Sequence, residues 1–515
     1  MTVTDSQRPS DDVESPEPLA GDSRVDAQRE SPSLSDPVVA PASSVIGGPV
    51  GRHAVVGRQK YLTPIRVLFG LALIGLALGW FGKAGCLQQR PVDPASSSAS
   101  RTAQGGLDLD WRNQRQFFAL CYSDVIALYG NEHLDTASFP YRTYWFEKDS
   151  SGVQVKRYME YPVLTGMFMY GAAKVTDWWQ TGHEKWGLPS ALSAVMFFNF
   201  VALGLALFWL VTIWATGRTA RTRVWAPWLA ALSPLVIVHV FTNFDAIPIA
   251  MVALAMLAWT RFEDSDDARP GWTPVLAGVA IGLGASSSWY PLLFFVAIGV
   301  LCARNGRIAG FVAAAVGAVL AWAAVNVAVL LAYPTGWSEF IRYGLARSAE
   351  SDSLFGVVRD LGGFTWNTAV LNGLSLFLLV LAVVGVVAVA ILAPKPPSLA
   401  QLMFLLVAAY LLTNKVWSPQ YSLWLVPLAV LAIPRTRLLI SWMVIDALIW
   451  IPRMSQYLDT DRMWLTPQWF TLAVLIRTGM VIALCVVVVW DVLGLDARRL
   501  RQWVPDGGQL SLRRG

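Results

Sequence analysis

Long apolar segments separated by short polar loops recur from residue 67 to residue 491, and they restrict the possible fold more than any other feature of the chain. A transmembrane helix needs about 20 mostly apolar residues, and shorter segments are tolerated where they are tilted or buried. About twelve such segments are predicted, near residues 67–83, 189–215, 224–241, 245–261, 272–287, 289–304, 308–332, 367–393, 399–413, 419–433, 437–451 and 467–491. Hydrophobic residues make up 55% of the 515 residues and charged ones 15%, which is far too apolar for a soluble domain. We therefore expect an all-α polytopic membrane protein.

Basic residues mark alternate loops of this series. If the loop after the first span is extracytoplasmic, the inner loops become GRTARTR, TRFEDSDDARPG, ARNGR, APKPPS and PRTR, and each carries Lys or Arg. The positive-inside rule predicts this distribution for cytoplasmic loops. The net charge of +5 is small, so the basic residues indicate a topology and not a nucleic-acid partner.

Three regions follow from this pattern. Residues 1–60 are rich in Ser, Pro and acidic residues without an early apolar core, so we expect a disordered cytoplasmic tail and no signal peptide. Residues 61–495 form the transmembrane domain, in which residues 84–188 are a long first extracytoplasmic loop. Residues 496–515 form a cytoplasmic C-terminal tail, and the expected location is the plasma membrane.

Unusual polar motifs gather on the predicted outer side. They are CYSDVIALYG after the first span, EYPVLTG in the first loop, TNFDAIPIA at a hairpin tip, WYPLLF at the sixth span and NKVWSPQYSLWLVPL at a later span entrance. Polar residues without a common role would be distributed over both faces of the membrane. Their clustering predicts a functional site at one face.

Asp124 is a carboxylate in the otherwise apolar stretch FFALCYSDVIALYG. If residues 117–128 form one helix at 100° per residue, Asp124 falls on the same side as Phe117, Cys121 and Leu128. One explanation is a capping or turn carboxylate. The other is a catalytic carboxylate, because partial burial raises the pKa of a carboxyl group and makes it a better base.

The motifs resemble those of the family-87 glycosyltransferases, which have the GT-C fold and use polyprenyl-phosphate sugars. SD…Y in the first outer loop and SPQY at a span entrance carry most of the resemblance, which covers most of residues 60–495. It implies a GT-C-like fold and transfer of a sugar, mannose or alternatively arabinose, to an envelope glycolipid or glycan with inversion. Relatives often carry a Lys shortly before the Tyr-Pro of the sixth span, whereas this chain has SSSWYP.

The chemistry of this reaction assigns roles to the polar residues. One carboxylate is needed to take the proton of the acceptor hydroxyl, while the phosphate leaves with little acid assistance. Asp124 is the predicted catalytic base, with Asp108 and Asp110 as the alternatives in the same loop. The predicted donor- and acceptor-binding residues are Glu160, Asp245, Lys415, Gln420 and Tyr421.

Each of these binding residues also has a structural explanation. Glu160 would suit a helix entry, because the helix dipole favours acids there. Asp245 would suit a structural hydrogen bond at the hairpin tip, and Lys415 would suit snorkelling to the lipid headgroups. Tyr421 would equally suit the aromatic belt at the membrane interface.

Other charged residues are assigned to structure. Arg342, Arg347 and Arg359 lie in the second long outer loop, where a solvated face or a headgroup contact explains them more simply than a phosphate site. Asp446 and Arg477 fall inside the last two spans, and we predict that they form a buried ion pair. The four His residues show no metal-ligand spacing, and no metal or cofactor is expected.

Cys86 and Cys121 both lie in the predicted outer loop, where oxidation is permitted. They are candidates for a disulfide that would anchor the Asp124 segment to the end of the first span. Cys302 and Cys485 lie in or beside later spans and are interpreted as small hydrophobic residues.

The expected partners are a polyprenyl-phosphate sugar donor, a glycolipid or glycan acceptor and membrane lipids, without nucleic acid. A transporter or flippase of polyprenyl-linked lipids is the alternative from another class. That function favours charged or broken helices near the midplane and an internal repeat, whereas the polar motifs here lie at one face. A non-catalytic scaffold of envelope assembly is the third possibility.

The topology is testable with reporter tags. We expect tags at residues 100 and 350 to be extracytoplasmic, and tags within 216–223 or after 496 to be cytoplasmic, because Lys and Arg are retained inside. Protease accessibility or an alkaline phosphatase fusion measures the side. A cytoplasmic signal from residue 100 would invert the topology and contradict an extracytoplasmic site.

Overall fold

The computed structural model of the protein describes residues 63–92, 106–136, 138–148, 152–265 and 271–495. The predicted tails at 1–60 and 496–515 lie outside these ranges. Helices occupy most of the described chain, and the only strands within it form two short hairpins.

The first part of the described chain contains eleven α-helices. In chain order they are α1 (Pro64–Ala84), α2 (Arg115–Phe118), α3 (Asp124–Asn131), α4 (Val163–Trp186), α5 (Ser193–Thr219), α6 (Trp228–Ala231), α7 (Pro234–His239), α8 (Ala246–Glu263), α9 (Trp272–Ala285), α10 (Leu293–Asn305) and α11 (Ile308–Ala332). The two antiparallel hairpins join β1 (Gln89–Pro91) to β2 (Leu107–Leu109) and β3 (Trp145–Lys148) to β4 (Gln154–Arg157). Both hairpins belong to the long segment between α1 and α4.

The remaining helices include both long apolar segments and short helices between them. They are α12 (Pro334–Trp337), α13 (Glu339–Ala346), α14 (Leu354–Gly362), α15 (Thr368–Leu392), α16 (Leu399–Thr413), α17 (Leu425–Ala432), α18 (Thr436–Leu448), α19 (Trp450–Ser455) and α20 (Pro467–Leu493). A three-residue 3-10 turn at Tyr290–Leu292 precedes α10, and a six-residue 3-10 turn at Pro419–Trp424 precedes α17.

Seven of the described helical segments are long and apolar enough to cross a membrane. They are Pro64–Leu87, Ser193–Thr219, Ala246–Glu263, Ile308–Ala332, Thr368–Leu392, Thr436–Ser455 and Pro467–Leu493. Shorter apolar helices of 10–17 residues are Trp228–His239, Trp272–Ala285, Tyr290–Asn305, Leu399–Thr413 and Pro419–Ala432. Every predicted span overlaps one of these segments, and the prediction of an all-α polytopic membrane protein is confirmed.

Proline explains why several apolar segments are interrupted. Pro234 begins α7 after a break from α6, and Pro291 and Pro419 lie in the 3-10 turns before α10 and α17. Proline has no N–H to donate to the preceding turn and clashes with its carbonyl, so a regular helix does not continue through it. Irregular backbone of this kind is tolerated at membrane depth only where protein or a water-filled cavity surrounds it.

Small residues bring α9 and α11 into close contact. A Cβ atom added at Gly278 would overlap the carbonyl oxygen of Ala314, and one at Gly282 would overlap the carbonyl oxygen of Ala318. The two glycines are four residues apart and therefore lie on one face of α9. Small residues at this spacing let helix backbones approach in a membrane, where packing replaces the hydrophobic effect as the driving force.

The helix predicted over residues 117–128 is not formed, and that prediction was wrong. α2 ends at Phe118, Leu120 adopts a left-handed φ of 58°, and α3 begins only at Asp124. A left-handed conformation costs an L residue roughly 1–2 kcal/mol, so tertiary contacts must hold this turn. Ser123 occupies the N-cap position, so the capping explanation of Asp124 does not apply.

The predicted ion pair between Asp446 and Arg477 is also absent from the described residues. Both side chains are fully buried, but each has other partners. Asp446 accepts hydrogen bonds from Ser422 Oγ and Trp442 Nε1, both at 3.0 Å. Arg477 donates to the Trp417 carbonyl at 2.7 Å and to a second carbonyl at 2.9 Å. These hydrogen bonds compensate part of the cost of burying each charge. The Trp417 ring also lies 4.0 Å from the Arg477 guanidinium, whose Nε and Nη1 atoms have no hydrogen-bond partner among the described residues.

The α9–α11 contact generates a stability prediction. We expect Gly278→Ala to destabilise the protein by about 1–3 kcal/mol, because the added methyl group meets backbone that cannot move freely. The matched control is Gly385→Ala in α15, where nothing lies within 4 Å of the added atom. Thermal unfolding of the purified protein in detergent compares the two variants, and equal midpoints would contradict the close packing.

Candidate active site

A cavity of about 640 Å³ lies at one end of the helices, where α3 and α8 begin and the Pro419–Trp424 turn enters α17. All six predicted site residues line it, namely Asp124, Glu160, Asp245, Lys415, Gln420 and Tyr421. They come from four motifs that are separate in sequence, and the fold brings these motifs together around one cavity. The size suits a small polar ligand or the head of a larger one.

Asp124 is held at the start of α3 by contacts with a distant turn. Its backbone N–H donates to the Thr242 carbonyl at 2.9 Å. Its Oδ2 atom accepts a hydrogen bond from Asn243 Nδ2 at 3.0 Å and a longer one from Gln420 Nε2 at 3.5 Å. The Tyr122 hydroxyl donates to the same carboxylate. The side chain is therefore oriented, while remaining partly exposed to the cavity.

Asn243 fixes the orientation of this carboxylate. Its Oδ1 atom accepts hydrogen bonds from the Phe244 backbone N–H at 2.7 Å and from the Tyr161 hydroxyl at 3.3 Å. The amide must then direct its NH₂ group toward Asp124, since an amide has one acceptor end and one donor end. Asn243 belongs to the TNFDAIPIA motif, but sequence reasoning singled out only Asp245 there and missed it.

The turn before Asp124 is attached to α1 and α19. Cys86 and Cys121 are joined by a disulfide, with Cα atoms 5.6 Å apart. Lys83 Nζ donates to the Tyr122 carbonyl and Trp450 Nε1 donates to the Leu120 carbonyl, both at 2.8 Å. These contacts account for the left-handed backbone at Leu120, because they satisfy carbonyl groups that a helix would otherwise use.

Burial makes two cavity carboxylates unusually basic. Burial raises the pKa of Asp124, and hydrogen bonding to Tyr122 and the charge of Arg453 oppose the rise only in part. Burial raises the pKa of Glu160 to about 7, while the charge of Arg347 opposes the rise. A carboxylate with a raised pKa accepts a proton more readily near neutral pH.

The Pro419–Trp424 turn places an aromatic stack beside Asp245. Trp424 lies between Tyr290, at 4.2 Å between ring centroids, and Tyr421, at 4.5 Å. Its Nε1 donates to Asp245 Oδ1 at 2.8 Å. The Oδ2 atom of Asp245 is buried without a hydrogen-bond partner among the described residues. This arrangement leaves one carboxylate oxygen of Asp245 to accept a hydrogen bond at the cavity.

Lys415 is engaged within the protein. Its Nζ donates to the carbonyls of Leu345 at 3.2 Å and Arg347 at 2.7 Å, and to Asn372 Oδ1 at 2.6 Å. An ammonium group has three N–H donors, so these bonds occupy all of them. Lys415 therefore caps the carbonyl groups at the C-terminal end of α13. Its charge lies near the cavity, but it has no N–H group left to donate to a ligand.

Two arginines offer donors that Lys415 lacks. Arg347 lines the cavity, and within the described residues its guanidinium donates only to Glu350, which leaves four of its five N–H groups for other partners. Arg453, also in the lining, pairs with Asp352. Sequence reasoning assigned Arg347 to a solvated loop face and did not consider Arg453, although IPRMSQY follows an apolar span directly.

Four other charged residues that the sequence analysis named, Asp108, Asp110, Arg342 and Arg359, lie outside the cavity lining. Asp108 accepts a hydrogen bond from the Leu109 backbone at 2.8 Å, and Asp110 pairs with Arg112 at 2.8 Å and Arg115 at 3.1 Å. Neither acid lines the cavity, and neither Arg342 nor Arg359 does. No group of three or more His, Cys, Asp and Glu side chains in the described ranges is arranged to hold a metal ion.

The chain matches a known family over residues 186–419, where it fits the model of glycosyltransferase family 87. The match includes Asp245 and Lys415, whereas Asp124, Glu160, Gln420 and Tyr421 lie outside it. None of the curated proteins compared matches the chain significantly.

The structure is an all-α bundle of apolar helices with a polar cavity at one end. Together with the family match, this architecture indicates a membrane glycosyltransferase. The resemblance predicted from the motifs is confirmed over residues 186–419, where the chain matches glycosyltransferase family 87.

Proposed function

We propose that the protein transfers mannose from a polyprenyl-phosphate donor to an envelope glycolipid or glycan, with Asp124 as the catalytic base. The observation that carries this proposal is the oriented carboxylate of Asp124 in a cavity that every predicted binding residue also lines. The family supports sugar transfer as the reaction. Mannose and the lipid donor come from the resemblance of the motifs, and arabinose is the alternative sugar.

The reaction requires one proton transfer and one substitution. Asp124 takes the proton of an acceptor hydroxyl, whose oxygen attacks the anomeric carbon from the face opposite the phosphate. The bond between the anomeric carbon and the phosphate oxygen breaks, and its electron pair leaves with the polyprenyl phosphate. Attack from the opposite face inverts the anomeric configuration, and one positioned carboxylate is sufficient because phosphate is a good leaving group.

The leaving phosphate needs a cation, and the contacts favour Arg347 for this role. The sequence predicts Lys415, but its three N–H groups are already bound within the protein. The guanidinium of Arg347 is planar and has N–H groups free to form two parallel bonds to phosphate oxygens. Lys415 then supports Arg347 by holding its backbone carbonyl.

The other polar groups suit the hydroxyls of a sugar. Glu160 and Asp245 offer carboxylate oxygens, and Gln420 and Tyr421 offer an amide and a hydroxyl. Hydrogen bonds to a sugar that strengthen in the transition state supply part of the catalysis in glycosyl transfer. We assign these residues to donor or acceptor binding.

The location follows from the basic loops. We propose a plasma-membrane protein with both termini in the cytoplasm and the cavity on the extracytoplasmic side. Within it, residues 61–495 form a GT-C-like domain between two cytoplasmic tails. A polyprenyl chain would remain in the bilayer while its phosphate reaches the cavity at headgroup level.

The decisive variant is Asp124→Asn. Asparagine keeps the size and most hydrogen bonds but cannot accept the acceptor proton, so we expect sugar transfer to fall at least about 100-fold with donor binding retained. Wild-type activity should fall as pH decreases through the raised pKa of Asp124, because the base must be unprotonated. Radiolabelled transfer from a polyprenyl-phosphate sugar measures both effects.

Asp108→Asn and Asp110→Asn are the matched controls, since both acids lie in the same segment but outside the cavity lining. Each should keep most of the activity. Near-normal specific activity of folded Asp124→Asn protein would contradict the base assignment. Activity in all three variants would favour transport or scaffolding instead.

A second pair of variants distinguishes whether Arg347 or Lys415 binds the donor phosphate. We expect Arg347→Gln to weaken donor affinity about 10- to 100-fold, because hydrogen bonds to charged groups contribute roughly 1.5–3 kcal/mol. Lys415→Gln should mainly lower the unfolding temperature. Donor titration and thermal unfolding of both variants provide the measurement, and a larger loss of affinity in Lys415→Gln would return the phosphate contact to Lys415.

A further inference from the structure

Five aromatic side chains lie in two groups near the proposed base, three rings in the cavity lining and a pair that follows them in the chain. The ring of Tyr122 is 5.3 Å from that of Phe117, which stacks on Tyr457 at 5.0 Å. The next residue, Phe118, meets Trp464 edge to face at 5.1 Å. The first three rings line the cavity, and the last two lie beyond its lining. We call these five residues the aromatic row.

The outer part of the aromatic row is exposed. The exposed fractions are 58% for Phe118, 44% for Tyr457 and 38% for Trp464. Large aromatic side chains usually contribute to stability by burial, and exposed apolar groups continuous with a cavity mark a binding surface. An edge-to-face pair also leaves the face of at least one ring uncovered.

The polar groups beside the row fit a carbohydrate. Gln114 Nε2 donates to Asp459 Oδ1 at 3.1 Å, and Asp459 N donates back to Gln114 Oε1 at 2.8 Å. Arg462 donates to Asn113 Oδ1 at 3.4 Å. A sugar presents C–H groups that pack on an aromatic face and hydroxyls that need amide, carboxylate or guanidinium partners at its edge. Both kinds of group occur side by side here.

We propose that Phe118, Tyr457 and Trp464 form a saccharide-binding surface that holds the sugar chain of the acceptor while a hydroxyl at its end reaches Asp124. Tyr122, Phe117 and Tyr457 line the same cavity as Asp124, and Phe118 follows Phe117 directly in the chain. The inference deepens the proposed function and rests on it, because it identifies the acceptor as an oligosaccharide chain extending out of the cavity.

A contact with lipid headgroups is the competing explanation of exposed aromatic rings in a membrane protein. The chain offers a matched control in Trp178 and Trp186, which also meet edge to face, at 6.3 Å. They are 58% and 66% exposed and do not line the cavity. A lipid contact would be common to both pairs, whereas saccharide binding would be confined to the row.

The test measures binding without a donor, using the full-length protein in phosphatidylcholine nanodiscs. Saturation-transfer NMR would detect a soluble mannotetraose or an arabinose tetrasaccharide. We expect Trp464→Ala and Phe118→Ala to weaken binding of one of these probes about five- to tenfold, because each variant removes an aromatic contact to the saccharide. Trp464→Phe should restore part of the affinity, and Trp186→Ala should leave it unchanged.

Equal affinity in Trp464→Ala and Trp186→Ala would overturn the proposal, as would the absence of binding of both probes to the wild-type protein. If the rings contact lipid instead, Trp464→Ala and Trp186→Ala should both alter reconstitution into nanodiscs. The saccharide affinity of both variants should then be unchanged. Because no sugar is transferred in this measurement, its failure leaves the Asp124→Asn result untouched. Conversely, an active Asp124→Asn variant would overturn the base assignment and not the saccharide surface.

Discussion

The burial of one carboxylate, Asp124, is the constraint on which the rest of the site depends. Removing an ionised carboxylate from water costs several kcal/mol unless hydrogen bonds and charges replace the lost hydration. Asn243, Gln420 and Tyr122 provide the hydrogen bonds, and Arg453 provides a compensating charge. Tyr122 is a neighbour of Asp124 in sequence, whereas the other three groups come from distant segments. Only the folded bundle therefore produces a base that is buried, oriented and still able to ionise.

Irregular backbone supplies the geometry that this base needs. The left-handed turn at Leu120 separates α2 from α3 and directs Asp124 into the cavity. Pro419 starts the 3-10 turn that brings Gln420 to the same place. Regular helices satisfy their own backbone groups and expose few of them, whereas broken helices present polar groups at membrane depth. The breaks are local departures from regularity that the surrounding apolar helices stabilise.

The charged residues show how far residue type alone can mislead. Lys415 lies where a phosphate contact would be, yet its donors are used by carbonyls, and Arg347 presents the free donors instead. Asp446 and Arg477 have opposite charges in neighbouring spans, yet their hydrogen bonds go to other groups and not to each other. The energy of a charge depends on the donors and acceptors that contact it and on other charges within several ångströms. Sequence separation and hydropathy do not reveal which groups contact a charged side chain in the folded protein.

The sequence by itself determined the apolar segments and the gathering of polar motifs on one side of them. Hydrophobic length is a local property, since it acts wherever the segment lies. The candidates it selected, such as Asp124 and Asp245, all line one cavity. Only the tertiary structure decided that residues 117–128 break into two helices and that Asn243 orients the carboxylate. Contacts between distant segments outweigh local helical preference there, because they satisfy backbone and side-chain groups that no neighbour in sequence can reach.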